Sequence, residues 1–395
     1  MLPHPGDRDE TRHTIDADHE RSELRESSLR VGFLADTVDR PGGIGRYTRE
    51  VLAALGRRDD VRLVVAAPGR ARDAVAGLVG SNLDTLLTVP AAGQLGIALW
   101  ERYASGARFA RAGVDLVHGT KHLVPRGVRV TVLTVHDVMT LTRAHEARLA
   151  KRLLLPAQYR ATLSQATGLV AVSAATRDRL GAIDHGWAAK TVVVPNGLSE
   201  HLLQAEAEPV TALDGKRFAL VVGDLSPRKN VALLLDLWEE VSRGAGGLHL
   251  AVLGGDGPHS ETTRQRLAGL ADRGLATWVH ESSDAQLRWC YEHAGVVLFP
   301  SVEEGFGFPV LEALAFGAPV LASTDPALVE VSAGSDRVRH LDPRDAVAWR
   351  EAIIAASAVP RDLPGVPMLP AGAWTWDEHA AGLVAVYRRL LGRRD

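Results

Sequence analysis

Three observations predict an α/β protein built from two parallel-sheet domains. The chain has 395 residues, more than one hydrophobic core usually organises. Short apolar runs alternate with segments of helical period, the pattern of parallel strands joined by helical crossovers. Each half also carries a glycine-rich turn between an apolar run and a helix: residues 40–47 (RPGGIGRY) in the first and 303–307 (EEGFG) in the second. In sheets of this kind ligands collect at the carboxyl ends of the strands.

Composition narrows the class. Hydrophobic residues make up 46% and charged residues 24%, ordinary for a globular chain. The net charge of −3 gives no reason to expect a nucleic-acid partner. A single cysteine, Cys290, excludes an intrachain disulfide and a cysteine-cluster metal site, and it reads as a buried thiol in a helix. No apolar run is long enough to span a membrane, and the N-terminus lacks the apolar core of a signal peptide. A cytoplasmic location is therefore expected. Residues 1–28 are polar and read as a disordered tail.

The first domain is placed at 29–200. It opens with a buried strand, 29–35 (LRVGFLA). After the glycine loop, Ile44, Tyr47, Val51, Leu52 and Leu55 recur at helical spacing. Backbone N–H groups at such a junction can meet phosphate or sugar oxygens. The spacing is not GxGxxG followed by a ribose-binding acid, so no nicotinamide site is assigned. Further strands are expected at 61–67, 86–89, 114–118, 130–135, 168–173 and 191–194. Helices are expected at 71–79, 95–112, 147–163 and from Ser173 or Ala174 to Leu180. His118 and His136 stand at strand ends, where ligands of such sheets collect, and Lys121 closely follows the first of them. Helix 147–163 carries Arg148, Lys151, Arg152 and Arg160 on one face and leucines on the other. A solvated helix on the sheet is the simpler reading. A peripheral contact with the inner membrane face or an anionic acceptor stays open.

The second domain is placed at 201–372, and a crossover helix at 373–395. A strand at 217–222 runs into GDLSPRKN, which puts Lys229 at the start of a helix over 230–243. A cation there opposes the helix dipole, which argues for a ligand such as a diphosphate whose charge develops on leaving. Strands at 248–253 and 278–281 and helices at 259–271 and 284–293 follow, with Asp284 capping the last. The run 296–299 is a strand. Pro309 suits a helix start, while Gly317 and Pro319 end that helix. Glu304 is left in the loop and Glu312 falls in the first helical turn. Strands at 320–323 and 338–341 and helices at 327–331 and 345–356 complete the second sheet. Glu330 receives no chemical role. Residues 360–370 read as a proline-rich linker, and 376–391 as an amphipathic helix.

Glu304, Gly-Phe-Gly-x-Pro and a second Glu, Glu312, after seven intervening residues together resemble the signature of glycosyltransferase family 4. The resemblance runs from Leu29 to Leu391. It implies the GT-B fold: two Rossmann-like β/α/β domains facing across a cleft, with the C-terminal helix crossing back to the first domain. It implies retaining transfer of a sugar from a nucleoside-diphosphate sugar, held by the second domain, to an acceptor hydroxyl on the first. Lys229, helped by Arg228, would stabilise the departing diphosphate. The family arginine expected directly after Gly223 is Asp224 here, and Arg228 is assigned as its substitute. Glu312 would hold the ribose and Glu304 would lie at the sugar end. The main chain of Gly305, Phe306, Gly307 and Phe308 would contact the sugar. Gly43, Gly45 and Gly223 would border the donor, Arg46, His118 and Lys121 would face the acceptor, and His136 would position the sugar. No metal site and no cofactor besides the co-substrate are expected, since basic groups can replace a metal. GGIGRY and RKN resemble mannosyltransferases of polysaccharide assembly, which makes GDP-mannose a lead beside UDP-sugars. The acceptor stays open among glycans, lipid-linked sugars and natural products. A nucleotide-sugar epimerase on the same fold and a non-catalytic nucleotide-binding partner are the alternatives. A dehydrogenase is the weakest, for want of its fingerprint.

Overall fold

The computed structural model describes residues 28–40, 42–90, 93–142, 149–359 and 373–393. The predicted tail up to residue 27 and the proline-rich linker lie outside these residues, as do Arg148 and the side chains of Lys151 and Arg152. Contacts divide the chain into two units. The first comprises 1–171, 184–194 and 377–395, and the second 172–183 and 195–376. In chain order the main division falls at Val194–Pro195, close to the expected residue 200. Two further segments lie in the unit opposite to the one that chain order suggests.

The first unit holds a seven-stranded parallel sheet: β1 (Leu29–Leu34), β2 (Val61–Pro68), β3 (Leu83–Val89), β4 (Leu116–Gly119), β5 (Thr131–Val135), β6 (Gly168–Ala171) and β7 (Thr191–Val193). Its order is β3-β2-β1-β4-β5-β6-β7. The second unit holds six parallel strands: β8 (Phe218–Val222), β9 (His249–Leu253), β10 (Ala276–Val279), β11 (Val296–Phe299), β12 (Val320–Ser323) and β13 (Val338–Leu341), in the order β10-β9-β8-β11-β12-β13. Central strands such as β5 (TVLTV) and β9 (HLAVL) are buried at every residue. That requires helices on both faces of each sheet. Seven helices matter below: α1 (Gly43–Gly56), α2 (Ala174–Ile183), α3 (Val231–Gly244), α4 (Asp284–His293), α5 (Phe308–Ala315), α6 (Pro326–Val331) and α7 (Trp376–Leu391). In the second unit, Trp238 of α3 and Trp349 anchor one core. Tyr291 of α4, Val310 of α5 and Phe316 anchor the other.

Each sheet has one point where the strand order reverses direction, between β1 and β4 in the first and between β8 and β11 in the second. The loops leaving the carboxyl ends of those strands diverge there and open a crevice. The glycine loop follows β1, Lys121 follows β4, Arg228 and Lys229 follow β8, and Glu304 follows β11.

A buried polar network fastens α7 within the first unit. His118 Nδ1 lies 2.5 Å from the Tyr387 hydroxyl and its Nε2 lies 2.7 Å from Thr134 Oγ1. Thr134 Oγ1 is also 2.8 Å from the Tyr47 hydroxyl, which is 3.3 Å from His379 Nε2. At the helix ends, Arg57 pairs with Asp377 at 2.5 Å and Arg388 with Asp60 at 2.8 Å.

Several predicted boundaries are corrected. The helix expected at 95–112 is interrupted by a π-helical turn, Trp100–Ala104, which buries Glu101 and Arg102. The strand predicted at 278–281 is β10 at 276–279, because the next residues turn into α4. Ser283, not Asp284, caps α4: its hydroxyl accepts from Gln286 N–H while the Gln286 side chain reaches back, a reciprocal capping box. Lys229 lies on a 3-10 turn, Pro227–Lys229, and α3 begins beyond Asn230, whose φ of 54° breaks the two apart. Glu312 falls in the second turn of α5, because that helix begins at Phe308.

Candidate functional site

The second unit assembles the sequence-predicted cations and one carboxylate at its switch point. β11 ends at Phe299, and the following loop returns Glu304 toward the turn that leaves β8. One Glu304 oxygen, Oε1, lies 2.8 Å from Lys229 Nζ and 2.9 Å from Arg228 Nη1. Exposure of these side chains is 9% for Glu304, 11% for Lys229 and 26% for Arg228. Lys229 Nζ also sits 4.5 Å from the Phe299 ring centroid, a cation–π contact. Burial raises the Glu304 carboxyl, but the Lys229 and Arg228 charges outweigh it and hold the group below its usual range. Burial moves Lys229 the other way, and its pKa is lowered despite Glu304. Two cations share one carboxylate oxygen, and the Asp224 carboxylate also acts on Lys229; a pair of adjacent cations suits a diphosphate.

Close packing of glycines shapes this corner. Gly223 has φ 146°, and a Cβ there would lie 3.1 Å from Lys229 Cε. Gly254, at φ 140° after β9, would drive a Cβ to 2.2 Å from the Gly223 carbonyl oxygen. Gly307 caps α5 at φ 105°, where a Cβ would meet Leu328 at 2.6 Å. Phe306 and Phe308 pack edge to face at 5.1 Å, both half-buried. Asp224 does not stand in for an arginine: its carboxylate accepts from Ser226 N–H at 3.1 Å and from the Ser226 hydroxyl, fixing the turn before Arg228. Glu312 is 1% exposed, and its Oε2 accepts from the Tyr291 hydroxyl at 2.7 Å.

The first unit sorts its candidates differently. His118 is fully buried with both ring nitrogens engaged, so it braces the core and does not face an acceptor. Burial first, then His379 and His136, lower its pKa to about 3. His136 is half-buried and donates through Nε2 to the Thr120 carbonyl at 2.9 Å, with its ring edge-to-face on Tyr47 at 4.6 Å. Burial lowers it to about 4, so the ring is neutral at pH 7 and Nδ1 is a hydrogen-bond acceptor. Gly45 is packed so closely that a Cβ would lie 2.0 Å from the Arg40 carbonyl oxygen, whereas Gly43 has open space around it. Arg46 and Lys121 are half-buried at the same end of the sheet.

Sequence reasoning missed a carboxyl pair there. Asp36, just after β1, hydrogen-bonds Glu101 of the π-helical turn. Burial and then the Asp36 charge push Glu101 up to about 8, with Lys121 and Arg40 pulling the other way. The π turn that buries Glu101 belongs to the fold, and nothing in the spacing of residues 94–111 announces it.

Two family models match this chain: "Glycosyltransferase Family 4" over residues 41–201 and "Glycosyl transferases group 1" over residues 204–361. The chain belongs to glycosyltransferase family 4. Among curated relatives it is 23% identical to the O-antigen chain mannosyltransferase RfbU of Salmonella typhimurium, over 60% of this chain and 64% of that protein. It is 32% identical to a D-inositol 3-phosphate glycosyltransferase of Segniliparus rotundus, over 51% of this chain and 47% of that protein. The chain thus spans roughly half to two thirds of these family members. Among solved structures, sucrose-phosphate synthase from Thermosynechococcus elongatus superposes with a TM-score of 0.64 at 17% identity, over 92% of this chain and 99% of that one. Anabaena HepE in complex with UDP and glucose gives 0.61 at 16% identity, over 92% and 98%. These likenesses agree with two Rossmann-like units of the GT-B fold. No helix among the described residues of this family member is long and apolar enough to cross a membrane.

Proposed function

We propose that the chain is a glycosyltransferase that moves a sugar from a nucleoside-diphosphate sugar to an acceptor hydroxyl. The observation that carries this is the Lys229–Glu304–Arg228 cluster at the β8/β11 switch point. The anomeric C–O bond to the diphosphate breaks, and Lys229 and Arg228 meet the charge that grows on the leaving oxygens. Glu304, fixed against both cations, faces the sugar end. Glu312 holds the ribose, and the N–H groups from Gly305 to Phe308 contact the sugar beside the start of α5. In the first unit, Gly43 and Gly45 border the donor, and neutral His136 accepts a sugar hydroxyl through Nδ1. Arg46 and Lys121 serve the acceptor. The acceptor hydroxyl passes its proton to an oxygen of the departing diphosphate as its own oxygen bonds the anomeric carbon, and the configuration is retained. The two basic side chains take the place of a metal. RfbU is named a mannosyltransferase and HepE is seen with UDP, so GDP-mannose and UDP-sugars are the donors to test first.

The test is a thermal-shift panel of UDP, GDP, dTDP and ADP, with and without magnesium, on the wild type and Lys229→Ala. A ligand that binds only the folded chain raises its stability. One nucleotide is expected to raise the wild-type Tm, independently of magnesium, and to lose that effect in the variant. No rise with any nucleotide refutes the reading.

A further inference from the structure

The cluster around Glu304 is held in place from an unexpected direction. Helix α2 lies between β6 and β7 in the chain, yet it packs in the second unit. Its residues take up the carbonyl oxygens of the two loop residues that matter most. Ser173 Oγ and Thr176 Oγ1 both donate to the Gly305 carbonyl, at 2.6 and 3.1 Å. Arg179 donates through Nη1 to the Glu304 carbonyl and through Nη2 to the Asp325 carboxylate. Positions 173, 176 and 179 recur every third residue, so they form one polar face on the helix. The helix is itself anchored. The Glu330 carboxylate at the end of α6 accepts from the N–H groups of Ala174 and Ala175, at 2.7 and 2.9 Å. Glu330, left without a role by the sequence, therefore caps α2 and favours its positive end.

Glycine is the freest residue in a loop. With both carbonyls turned inward and bonded, the peptide planes on either side of Gly305 are fixed. The direction of the Glu304 side chain and of the N–H groups that follow is fixed with them. We propose that Arg179, Ser173 and Thr176 are positioning residues for the transfer step. By setting the Glu304–Gly305 backbone, they aim the Glu304 side chain and the loop amides at the sugar. This rests on the transferase reading above. It adds that a helix drawn from between the last two strands of the first sheet determines the geometry of the sugar end, while Lys229 and Arg228 keep their own footing on the turn after β8.

Arg179→Ala, Arg179→Lys and the near-isosteric Thr176→Val separate the two ends. The probes are GDP with GDP-mannose and UDP with UDP-glucose, titrated by calorimetry, together with the acceptor-free release of nucleoside diphosphate from the sugar nucleotide that binds. For Arg179→Ala, free-diphosphate affinity is expected within about twofold of wild type, while sugar-nucleotide affinity and release fall about tenfold to a hundredfold, the scale of a small misplacement of reacting groups. Arg179→Lys, which keeps a donor and a charge beside Asp325, is expected to regain most of the loss. Thr176→Val, which removes one of two bonds to Gly305, is expected to lose a few-fold in the same direction. A purely structural role would lower both affinities together, in step with Tm, and that result overturns the proposal. Unchanged sugar-nucleotide affinity and release in all three variants overturns it too. A wild type that binds no nucleotide at all refutes the transferase reading itself, before any variant is compared.

Discussion

Replacing Glu304 with Gln keeps the side chain's shape and removes its charge. In the wild type, one carboxylate oxygen serves Lys229 at 2.8 Å and Arg228 at 2.9 Å. Breaking a buried ion pair by removing one partner costs about 3–5 kcal/mol. Here the amide carbonyl still accepts hydrogen bonds and Arg228 retains access to water, so a loss of about 2–3 kcal/mol is expected. For a unit of this size each kcal/mol moves Tm by roughly 2–4 °C, which gives a drop of about 4–12 °C. The same substitution leaves two cations with no carboxylate between them. A bound diphosphate then supplies the missing negative charge, so the Tm rise produced by saturating GDP or UDP should be larger in Glu304→Gln than in the wild type. Differential scanning fluorimetry with and without nucleotide measures both quantities. A drop below about 1 °C would show that Glu304 is not the counter-ion. A smaller ligand-induced rise in the variant would show that the cations do not hold the diphosphate, and the reasoning would fail.

Further outcomes follow from the other groups. Glu101 is held protonated in the folded chain up to about 8, whereas an unfolded glutamate ionises near 4.3. The stability it contributes is therefore present below the unfolded pKa and is lost as pH rises toward 8, and Tm measured from pH 5 to 8 should decline less steeply in Glu101→Gln. His118 shows the opposite sign: its depressed pKa of about 3 contributes stability above about 6.5 that disappears as the pH falls. His118→Phe should flatten that acid limb, and it should cost about 1–3 kcal/mol at neutral pH in urea unfolding, because the buried Tyr387 hydroxyl loses its partner. Gly254→Ala forces a Cβ onto the Gly223 carbonyl and should lower the yield of folded protein. Gly43→Ala meets nothing within 4 Å and should leave Tm within a degree or two of wild type, while the donor contact proposed for this loop predicts a fall in sugar-nucleotide affinity by calorimetry.

Most of the architecture was legible because buried parallel strands are apolar on both faces and stand apart as short runs. The thirteen strands among the described residues emerge from such runs, with ends shifted by a few residues. The second-unit cluster was foreshadowed by two different signals: adjacent cations where a helix start was expected, which oppose its dipole, and Glu304 beside Gly-Phe-Gly-x-Pro, which resembles a family signature; the fold brings the three side chains together. Periodicity, however, names an element and not its neighbour. It marked α2 as a helix but could not say that the helix belongs to the second unit, since its anchors, Glu304, Gly305, Asp325 and Glu330, lie more than a hundred residues away. A strand-end histidine looks alike in sequence whether it meets solvent or core. Only the fold, which brings Tyr387 across from the far end of the chain, separates His118 from His136. Glu101 was hidden because a carboxylate on an amphipathic helix is normally solvated, and the π turn that rotates it inward has no composition of its own.

The four places where the chain passes between units, at 171–172, 183–184, 194–195 and 376–377, bear on how members of this family can exchange parts. A chimera spliced near residue 200 would join the Glu304 loop of one parent to the α2 helix of another, and the 173/176/179 donors would have to suit a backbone they did not evolve beside. Carrying residues 172–183 along with 195–376 keeps lock and key from the same source. Natural recombination faces the same constraint, so surviving hybrids should show a short island of the second parent embedded between β6 and β7.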